Sequence, residues 1–576
     1  MALLMVNKEI KQLIEQALAD LSLKVEGFSV ERPGESKNGD YASNVALVAF
    51  RQMAEKMNGQ ANTIKVARGG MEFFDNPQQL ADKIIEKIKE VKHPAILNME
   101  SAGAGFINFY LNPEFLVEQV KKVLELGDKY GVGTDVAGYK VMVEYTDPNP
   151  FKIFHIGHLL PNVIGESISR IAEANGAEVK RACYQGDVGL HVAKAIYGLK
   201  NGQSLFEAYA YGHKSAEESE GAKQEIIALN KKVYDRSDEE VNKLYDAGKQ
   251  ESLDYFETLY KKLGTKFDYY FFESEAGPFG KKVVEEHTDI FKVGERGAVV
   301  YEGEQDGLHT RVFINSEGLP TYEAKELGLA KIKYDKYPYD YSIVVSANEI
   351  SEYFKVLLAV MGKIYPELGA KTRHVANGML RLPSGKMSSR TGNVMAAEDL
   401  IEEVKTRIKV KIAEGKKEGD ISDEDLTQIA VGAIKYSILK QDSSKDIIFD
   451  FDKSISFEGS SGPYLQYTFA RTQSILEKAK NEKIEIKLDK PEEVGEVEKL
   501  LSRFPEAVYR GGEELAPHHI VTYLTELTSA FNAYYANNKI VSEEENSSYR
   551  VALTVAVGQV LKNGLNLLGI VALDRM

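Results

Sequence analysis

An apolar, β-branched run at Lys140–Tyr145 leads into Thr146-Asp147-Pro148-Asn149-Pro150-Phe151-Lys152, then a helical pattern over Ile156–Gly176 and a second strand-like run over Glu178–Tyr184. Strand, crossover helix and strand in that order leave few folds open, because parallel strands joined through a helix connect with a right-handed crossover. The run therefore predicts the start of a doubly wound α/β domain with a parallel sheet. In such a sheet the ligand sits beyond the carboxyl ends of the strands. Tyr341–Ser346 reads as a later strand returning to the same sheet, and Ser351–Gly362 and Glu398–Ala413 read as helices. Between about Asn201 and Gly264 the chain is charged and helical, an insertion. Hairpin-like strands follow at Ala298–Tyr301 and His309–Ile314, with Asn315–Pro320 as the turn.

A chain of 576 residues has room for about four domains at roughly 150 residues each. Residues 1–112 read as a small α+β unit, with amphipathic helices near Lys8–Leu21, Tyr41–Met57 and Asn76–Val91 and strands at Phe28–Glu31 and Ala104–Leu111. Asp40 or Ser43 is the expected cap of the second helix. Residues 113–395 are the α/β domain with its helical and β insertion at about 200–320, and 396–455 a connecting helical segment. Residues 456–576 show apolar spacings of three and four, the pattern of an all-α bundle, with its clearest helices at Tyr464–Lys480, Glu496–Phe504, His519–Asn537 and Tyr549–Leu568. The lone Cys183 excludes an intramolecular disulfide and fits a reducing cytoplasm; on its strand it reads as a small buried hydrophobe. No apolar run approaches the ~20 residues of a membrane span. The net charge of −15 argues against indiscriminate nucleic-acid binding but leaves room for a local basic groove.

Two short motifs carry chemistry. His155-Ile156-Gly157-His158 opens the crossover helix, where free N–H groups and the helix dipole favour phosphate. Imidazoles there, cationic or donating, can stabilise charge developing on a phosphate, and Gly157 lets a nucleotide ring approach the backbone. About 230 residues later, Lys386-Met387-Ser388-Ser389-Arg390 lies in a glycine-flanked loop, a cation with adjacent hydroxyls suited to a leaving pyrophosphate. Alone, each would more often be a helix start or a solvated loop. Together, at this spacing and in this strand-loop-helix context, they are hard to obtain by chance.

The pair resembles the HIGH and KMSKS motifs of class I aminoacyl-tRNA synthetases, and the surrounding residues narrow the resemblance to the arginyl-tRNA synthetase family. Glu144-Tyr145-Thr146-Asp147-Pro148-Asn149-Pro150, Asn38-Gly39-Asp40-Tyr41-Ala42-Ser43-Asn44, Ala104-Gly105-Phe106-Ile107-Asn108-Phe109 and Gly462-Pro463-Tyr464-Leu465-Gln466-Tyr467 each resemble family stretches, as does the terminal Leu573-Asp574-Arg575-Met576. The resemblance covers nearly the whole chain, with Asn201–Gly264 least matched. It implies a Rossmann-like, HUP-type catalytic domain between an N-terminal tRNA-contacting domain and an anticodon-binding bundle.

Carried over residue by residue, the resemblance assigns ATP to His155, Gly157, His158, Lys152, Lys386, Met387, Ser388 and Ser389, with His155, His158, Lys152 and Lys386 catalytic. Ser389 replaces the usual lysine of KMSKS, and Lys152 stands where this family often carries one instead. Glu144 and Asn149 match the positions that bind the amino-acid end of arginine. Tyr322, in Gly318-Leu319-Pro320-Thr321-Tyr322, and Glu326, where the family usually has aspartate, fall on the guanidinium side, and Glu273 matches a further acidic position. Carboxylates suit a permanently charged, five-donor guanidinium. Asn44 and Asn108 are candidates for tRNA contact in the N-terminal domain, and Tyr464, Gln466, Tyr467 and Arg471 in the bundle. His518-His519 reads as a helix start.

The implied reaction is attack of the arginine carboxylate on the α-phosphate of ATP, then transfer from arginyl-adenylate to the terminal ribose of tRNA(Arg). Mg²⁺ would be held through the ATP phosphates, with no protein metal site. The family implies a tRNA-dependent first step and a monomer. A synthetase for an apolar amino acid would have no use for the acidity of Glu144, Tyr322 and Glu326. A small-molecule nucleotidyltransferase needs no terminal RNA-binding modules. A non-catalytic tRNA-binding relative would not need both histidines and both lysines.

Overall fold

The computed structural model describes residues 5–56, 64–67, 71–382, 395–414, 421–489, 491 and 493–576. The chain divides into two compact units. One comprises Met1–Gly133, Arg471–Tyr509 and Glu526–Asn563, the other Thr134–Ala470, Arg510–Thr525 and Gly564–Met576.

The first unit contains a four-stranded antiparallel sheet in the order Val30–Glu31, Tyr41–Ser43, Phe106–Leu111, Ile96–Ala102. Helices Val6–Asp20, Val45–Lys56 and Pro77–Val91 belong with it, and Ile10, Ile14, Ile84, Tyr41 and Phe109 lie in its core. The single helix expected over Tyr41–Met57 is instead a short strand followed by a helix. Tyr41 and Ser43 pair with Phe109 and Ile107, and strand pairing there overrides helix propensity. Asp40 does not cap that helix. Its buried carboxylate accepts the Leu111 amide at 2.8 Å and pairs with Lys499 at 2.8 Å. Ser43 Oγ takes the Val45 N–H at the helix start. Ile96–Ala102 escaped the sequence reading, because its residues alternate too weakly between apolar and polar to announce a strand. Within the same unit Arg32 bridges Glu496 and Glu526.

The second unit is built on a five-stranded, wholly parallel sheet in the order Thr372–Asn377, Tyr341–Ala347, Lys140–Glu144, Glu178–Gln185, Tyr269–Phe272. Strand direction and order are those of a doubly wound fold, as the crossover pattern predicts. Lys140–Glu144 is central and buries Val141, Met142 and Val143 against helices on both faces, the reason it reads as continuous rather than alternating. Helix Ile156–Ala174 is buried along most of its length, and Gly165 is one condition for that. A β-carbon at Gly165 would lie 2.2 Å from the Tyr145 ring. The two edge strands, Tyr269–Phe272 and Thr372–Asn377, were not expected from sequence. Thr372-Arg373-His374-Val375-Ala376-Asn377 has neither a polar alternation nor an apolar run.

The insertion is helical as expected, forming Leu205–Glu218, Glu220–Asp235 and Glu239–Leu263. Strands Val299–Tyr301 and Arg311–Ile314 pair antiparallel, but Asn315–Pro320 does not join them. It is a tight turn after the second strand, closed by Asn315 N–H donating to Leu319 O, and it delivers the chain to helix Tyr322–Lys336. Helices Gly462–Asn481, Glu496–Glu513, His518–Asn537 and Ser547–Leu567 form as the apolar spacing predicts. Cys183 is fully buried. Among the described residues no helix is long and apolar enough to cross a membrane.

Candidate active site

The chain order of the sheet reverses at Lys140–Glu144, which lies between Tyr341–Ala347 and Glu178–Gln185. At the carboxyl end of that strand the backbone does something unusual. Thr146, Asp147 and Phe151 all have positive φ (82°, 45° and 67°). Such conformations cost about 1–3 kcal/mol each in a non-glycine residue and persist only where the surroundings over-determine them. Here they do. Thr146 Oγ1 accepts from Asn162 at 2.9 Å, Asp147 Oδ1 accepts the Tyr184 N–H at 2.8 Å, and Phe151 N–H donates to Ser252 Oγ at 2.9 Å. The Phe151 ring is fully buried against Gly248, where a β-carbon would come within 2.4 Å of it.

The loop ends in the two histidines. His155 is the N-cap of helix Ile156–Ala174, its Nδ1 accepting the Gly157 N–H at 3.0 Å, while His158 Nδ1 accepts the His155 N–H at 3.3 Å. The rings stack with centroids 3.9 Å apart. Burial and the nearby Lys152 ammonium hold the His155 imidazole down at about 4. Burial, His155 and Lys152 hold His158 well below the usual histidine range. Both rings are therefore neutral at pH 7. With Nδ1 accepting in each, the ring proton sits on Nε2, so each presents an N–H donor rather than a cation. Gly157 serves the histidines directly, since a β-carbon there would lie 2.7 Å from the His155 ring. Lys152 lies with its Nζ 4.6 Å from the centre of the Tyr209 ring, on an insertion helix.

Lys386, Met387, Ser388 and Ser389 lie outside the described residues. Where the chain resumes, it is tied to the first motif. Ile156 N–H donates to Met395 O at 3.3 Å, and Ala397 N–H to Phe154 O at 2.9 Å. The segment that leaves the second motif thus forms a short β-bridge with the segment that opens the first.

Beside the histidines is a group of buried acids. Glu144, the last residue of the central strand, is 1% exposed and accepts from Lys333 Nζ at 2.6 Å. Glu273, immediately after the edge strand Tyr269–Phe272, is also buried and accepts from Lys325 Nζ at 2.6 Å. Glu326 lies on the same helix as both lysines; burial and the Glu144 carboxylate push its carboxyl up to about 8. Burial and Glu144 raise Asp147 well above the carboxylate range as well. Asn149 meets Glu273 at Gly186, where a β-carbon would lie 2.3 Å from Asn149 Oδ1 and 3.3 Å from Glu273 Oε1. Two buried polar atoms at this place, Tyr184 Oη and Gln185 Oε1, have no hydrogen-bond partner among the described residues. The charges of Glu273, Glu326 and Glu144 all act on Tyr184. Orphaned buried polar atoms are exceptional in folded proteins, and they single this place out as a candidate binding site.

Tyr322 is the first residue of helix Tyr322–Lys336 and 66% exposed, so it flanks the acids from the rim. Lys325, Lys333 and Asp187 were missed in the sequence reading. Asp187 is fully buried and accepts four hydrogen bonds, from Tyr245 Oη, Lys249 Nζ, and the Ser274 N–H and hydroxyl, at 2.7 to 2.8 Å. Elsewhere, Asn44 and Asn108 line one cavity of about 470 Å³ with Arg32, Asn38 and Phe106. Gln466 is not available to a base. It is fully buried, donates to Val571 O at 2.9 Å, and lies against Gly432. Tyr464 and Tyr467 are half-buried, and the Arg471 guanidinium bonds Asn532 and lies 5.1 Å from the Tyr535 ring centre. His519 Nε2 lies 2.6 Å from Glu514, at the start of its helix.

Comparison with known proteins joins these observations. Residues 119–451 match the family model for the class I tRNA synthetase (R) catalytic domain, 8–111 the arginyl tRNA synthetase N terminal domain, and 465–576 the DALR anticodon binding domain. The chain is 34% identical to the arginine–tRNA ligase of Fusobacterium nucleatum over 87% of its own length and 90% of the relative's. It is 29% identical to that of Borrelia hermsii over 99% of both chains. Among solved structures, arginyl-tRNA synthetase from Plasmodium falciparum superposes with a TM-score of 0.81 at 21% identity, covering 100% of both chains. The Thermus thermophilus arginyl-tRNA synthetase does so with a TM-score of 0.73 at 23% identity, covering 99% of this chain and 100% of that one.

Proposed function

Because the chain belongs to the arginyl-tRNA synthetase family and is an arginine–tRNA ligase, we propose that the acids at the carboxyl ends of its parallel strands hold L-arginine against ATP bound at His155 and His158. The observation that carries this reading is the meeting of Asn149 and Glu273 at Gly186, beside Glu144, Glu326 and the unpartnered Tyr184 hydroxyl. Glu144, paired with Lys333 on one oxygen, receives the arginine α-ammonium together with Asn149. Glu326, Glu273 and Tyr322 serve the guanidinium side. In-line attack of the arginine carboxylate on the α-phosphate then forms arginyl-adenylate and releases pyrophosphate. The Nε2–H donors of His155 and His158 meet the charge that builds on the phosphate oxygens. Lys152 and the loop bearing Lys386, Met387, Ser388 and Ser389 hold the departing phosphates, and Gly157 leaves the helix start open to the nucleotide. Catalysis is positioning and charge stabilisation, with no covalent enzyme intermediate. Mg²⁺ arrives on the ATP phosphates, a reading supported by the histidines, whose Nε2 atoms carry protons and offer no lone pair to a metal.

The second step is attack of the terminal ribose hydroxyl of tRNA(Arg) on the adenylate. The N-terminal domain, residues 1–112, contacts the tRNA through the cavity lined by Asn44 and Asn108. The bundle, residues 456–576, reads splayed anticodon bases, with Tyr464, Tyr467 and Arg471 as candidates. In chain order the catalytic domain, 113–395, and the connecting segment, 396–455, come between these two. The enzyme acts as a cytoplasmic monomer. Pyrophosphate exchange with a panel of amino acids, with and without tRNA(Arg), tests the reading. Exchange with arginine alone, and only when tRNA is present, is expected. Exchange with a different amino acid would refute the pocket assignment.

The charge state of Glu326 gives a second expected result. In the arginine-free pocket this carboxyl keeps its proton at pH 7, since its value is about 8. A guanidinium is charged at every accessible pH and favours the carboxylate, so binding below pH 8 expels a proton. The KM for arginine should accordingly fall as pH rises from 6.5 to 8, by up to about tenfold per pH unit, then level off. Glu326→Gln should flatten this profile. A profile equally steep in the variant would exclude Glu326 as its source. Because the folded-state value is raised, the stability this group contributes is present below the ordinary glutamate range and is lost as pH rises through about 8.

A further inference from the structure

Two helices of the insertion reach the acid cluster: Glu220–Asp235 brings Tyr234 to Lys325, and Glu239–Leu263 makes the firmer fastening. Helix Glu239–Leu263 sends Tyr245 and Lys249, one turn apart, onto a single carboxylate oxygen, Asp187 Oδ2, each at 2.7 Å. That same carboxylate receives the N–H of Ser274 at 2.8 Å and its hydroxyl at 2.7 Å, in the first turn of helix Glu273–Glu286. Lys249 makes a second contact with this segment, its Nζ 3.5 Å from the centre of the Phe272 ring. Glu273 therefore has both chain neighbours fixed by the insertion, Phe272 through Lys249 and Ser274 through Asp187. The turn that carries Asp187 also carries Gly186, the residue that lets Glu273 and Asn149 meet, and His191 Nε2 locks that turn on Gly186 O at 2.7 Å. A carboxylate 0% exposed with four donors is a rigid fastening, because each bond lost would leave buried charge uncompensated.

We infer that Asp187, Tyr245 and Lys249 are positioning residues that set arginine affinity by fixing Glu273, so that the insertion tunes the amino-acid pocket without touching substrate. The inference rests on the reading of Glu273 as an arginine-binding carboxylate. Neither Tyr245 nor Lys249 belongs to the sequence motifs, and the ring contact of Tyr245 toward the ATP-side loop, 6.1 Å between its ring centre and that of Phe151, is kept in Tyr245→Phe. Their loss should thus separate the two substrates. A fastening that only held the fold together would affect both alike.

The test is arginine-dependent pyrophosphate exchange by the full chain with tRNA(Arg), in Lys249→Met, Tyr245→Phe, Lys249→Arg and Glu273→Gln and in the Lys249→Met/Glu273→Gln double variant. Lys249→Met is expected to raise the KM for arginine about tenfold, leaving the KM for ATP within about twofold, since small misplacements of a binding group are costly. Tyr245→Phe, which removes one donor of four and no charge, should move the same parameter in the same direction by less. Lys249→Arg should recover most of the affinity. In the Glu273→Gln background, Lys249→Met should add almost nothing, because a residue that acts through another has no effect once the other is gone. Equal changes in both KM values, or full additivity in the double variant, would overturn the inference and leave the Glu273 reading standing. Normal arginine affinity in Glu273→Gln would overturn that reading and the inference with it. If Lys249→Met fails to fold, Tyr245→Phe alone and in the Glu273→Gln background decides between the same outcomes.

Discussion

His155→Asn is expected to slow arginine activation by about 10²–10³-fold while leaving the fold and the KM for ATP nearly unchanged. The reasoning depends on which nitrogen does what. His155 Nδ1 accepts the Gly157 N–H and caps the helix, and asparagine is among the best residues for that task, its side-chain oxygen falling near the same place. What asparagine lacks is a donor at the position of Nε2. The substitution thus removes the proposed contact to the phosphate and spares the cap. His155→Gln, which reaches further, should restore part of the rate at some cost to capping. Because burial and Lys152 hold the His155 imidazole at about 4, and burial, His155 and Lys152 hold His158 well below the usual histidine range, neither ring protonates between pH 6 and 8. The turnover number at saturating arginine should show no histidine titration in that window. A rate loss under tenfold in His155→Asn, measured by pyrophosphate exchange against a thermal melt of the same protein, would remove this ring from the chemistry.

Lys333→Met is expected to destabilise the catalytic unit by about 3–5 kcal/mol at pH 7, the usual cost of leaving one member of a buried ion pair alone. Glu144 would be that member, since its only salt-bridge partner among the described residues is Lys333 and both side chains are under 5% exposed. Glu144→Gln in the same chain should return most of the loss, because two uncharged groups of similar volume can replace a buried pair almost neutrally. The double variant would then be folded and unable to bind the arginine α-ammonium. Urea unfolding followed by far-ultraviolet circular dichroism, alongside arginine binding, separates the two roles. A double variant as unstable as the single one would mean that Lys333 packs rather than pairs.

These two residues illustrate what one sequence makes legible. His155 stands out because local rules converge on it: a β-branched strand, a proline-broken loop and a helical pattern with a histidine at its start. Those rules act over a few residues, and three of the five parallel strands follow from them. Lys333 gives no such sign, for a lysine buried against Glu144 is written in the same letter as one in solvent, and its partner lies 189 residues away. Asp187 is silent for the same reason, its donors coming from Tyr245, Lys249 and Ser274 in two other helices. Gln466 fails in the opposite direction. It sits in a motif that reads as an RNA-facing surface, yet its amide is spent on the carbonyl of Val571. Burial is a property of the assembled fold, and periodicity alone could not divide the aromatic and polar residues of that helix between core and surface.

Helix Tyr322–Lys336 carries Tyr322, Lys325, Glu326 and Lys333, and so combines a rim aromatic, an acid and both internal countercharges in fifteen consecutive residues. The proposed ATP-side groups are dispersed in the sequence instead, Lys386 standing 231 residues after His155 (386 − 155). For recombination, however, this helix is a poor unit of exchange. Exchange of this helix alone would carry Lys325 and Lys333 away from the carboxylates they neutralise, Glu273 and Glu144, which stand 52 and 189 residues upstream in the chain.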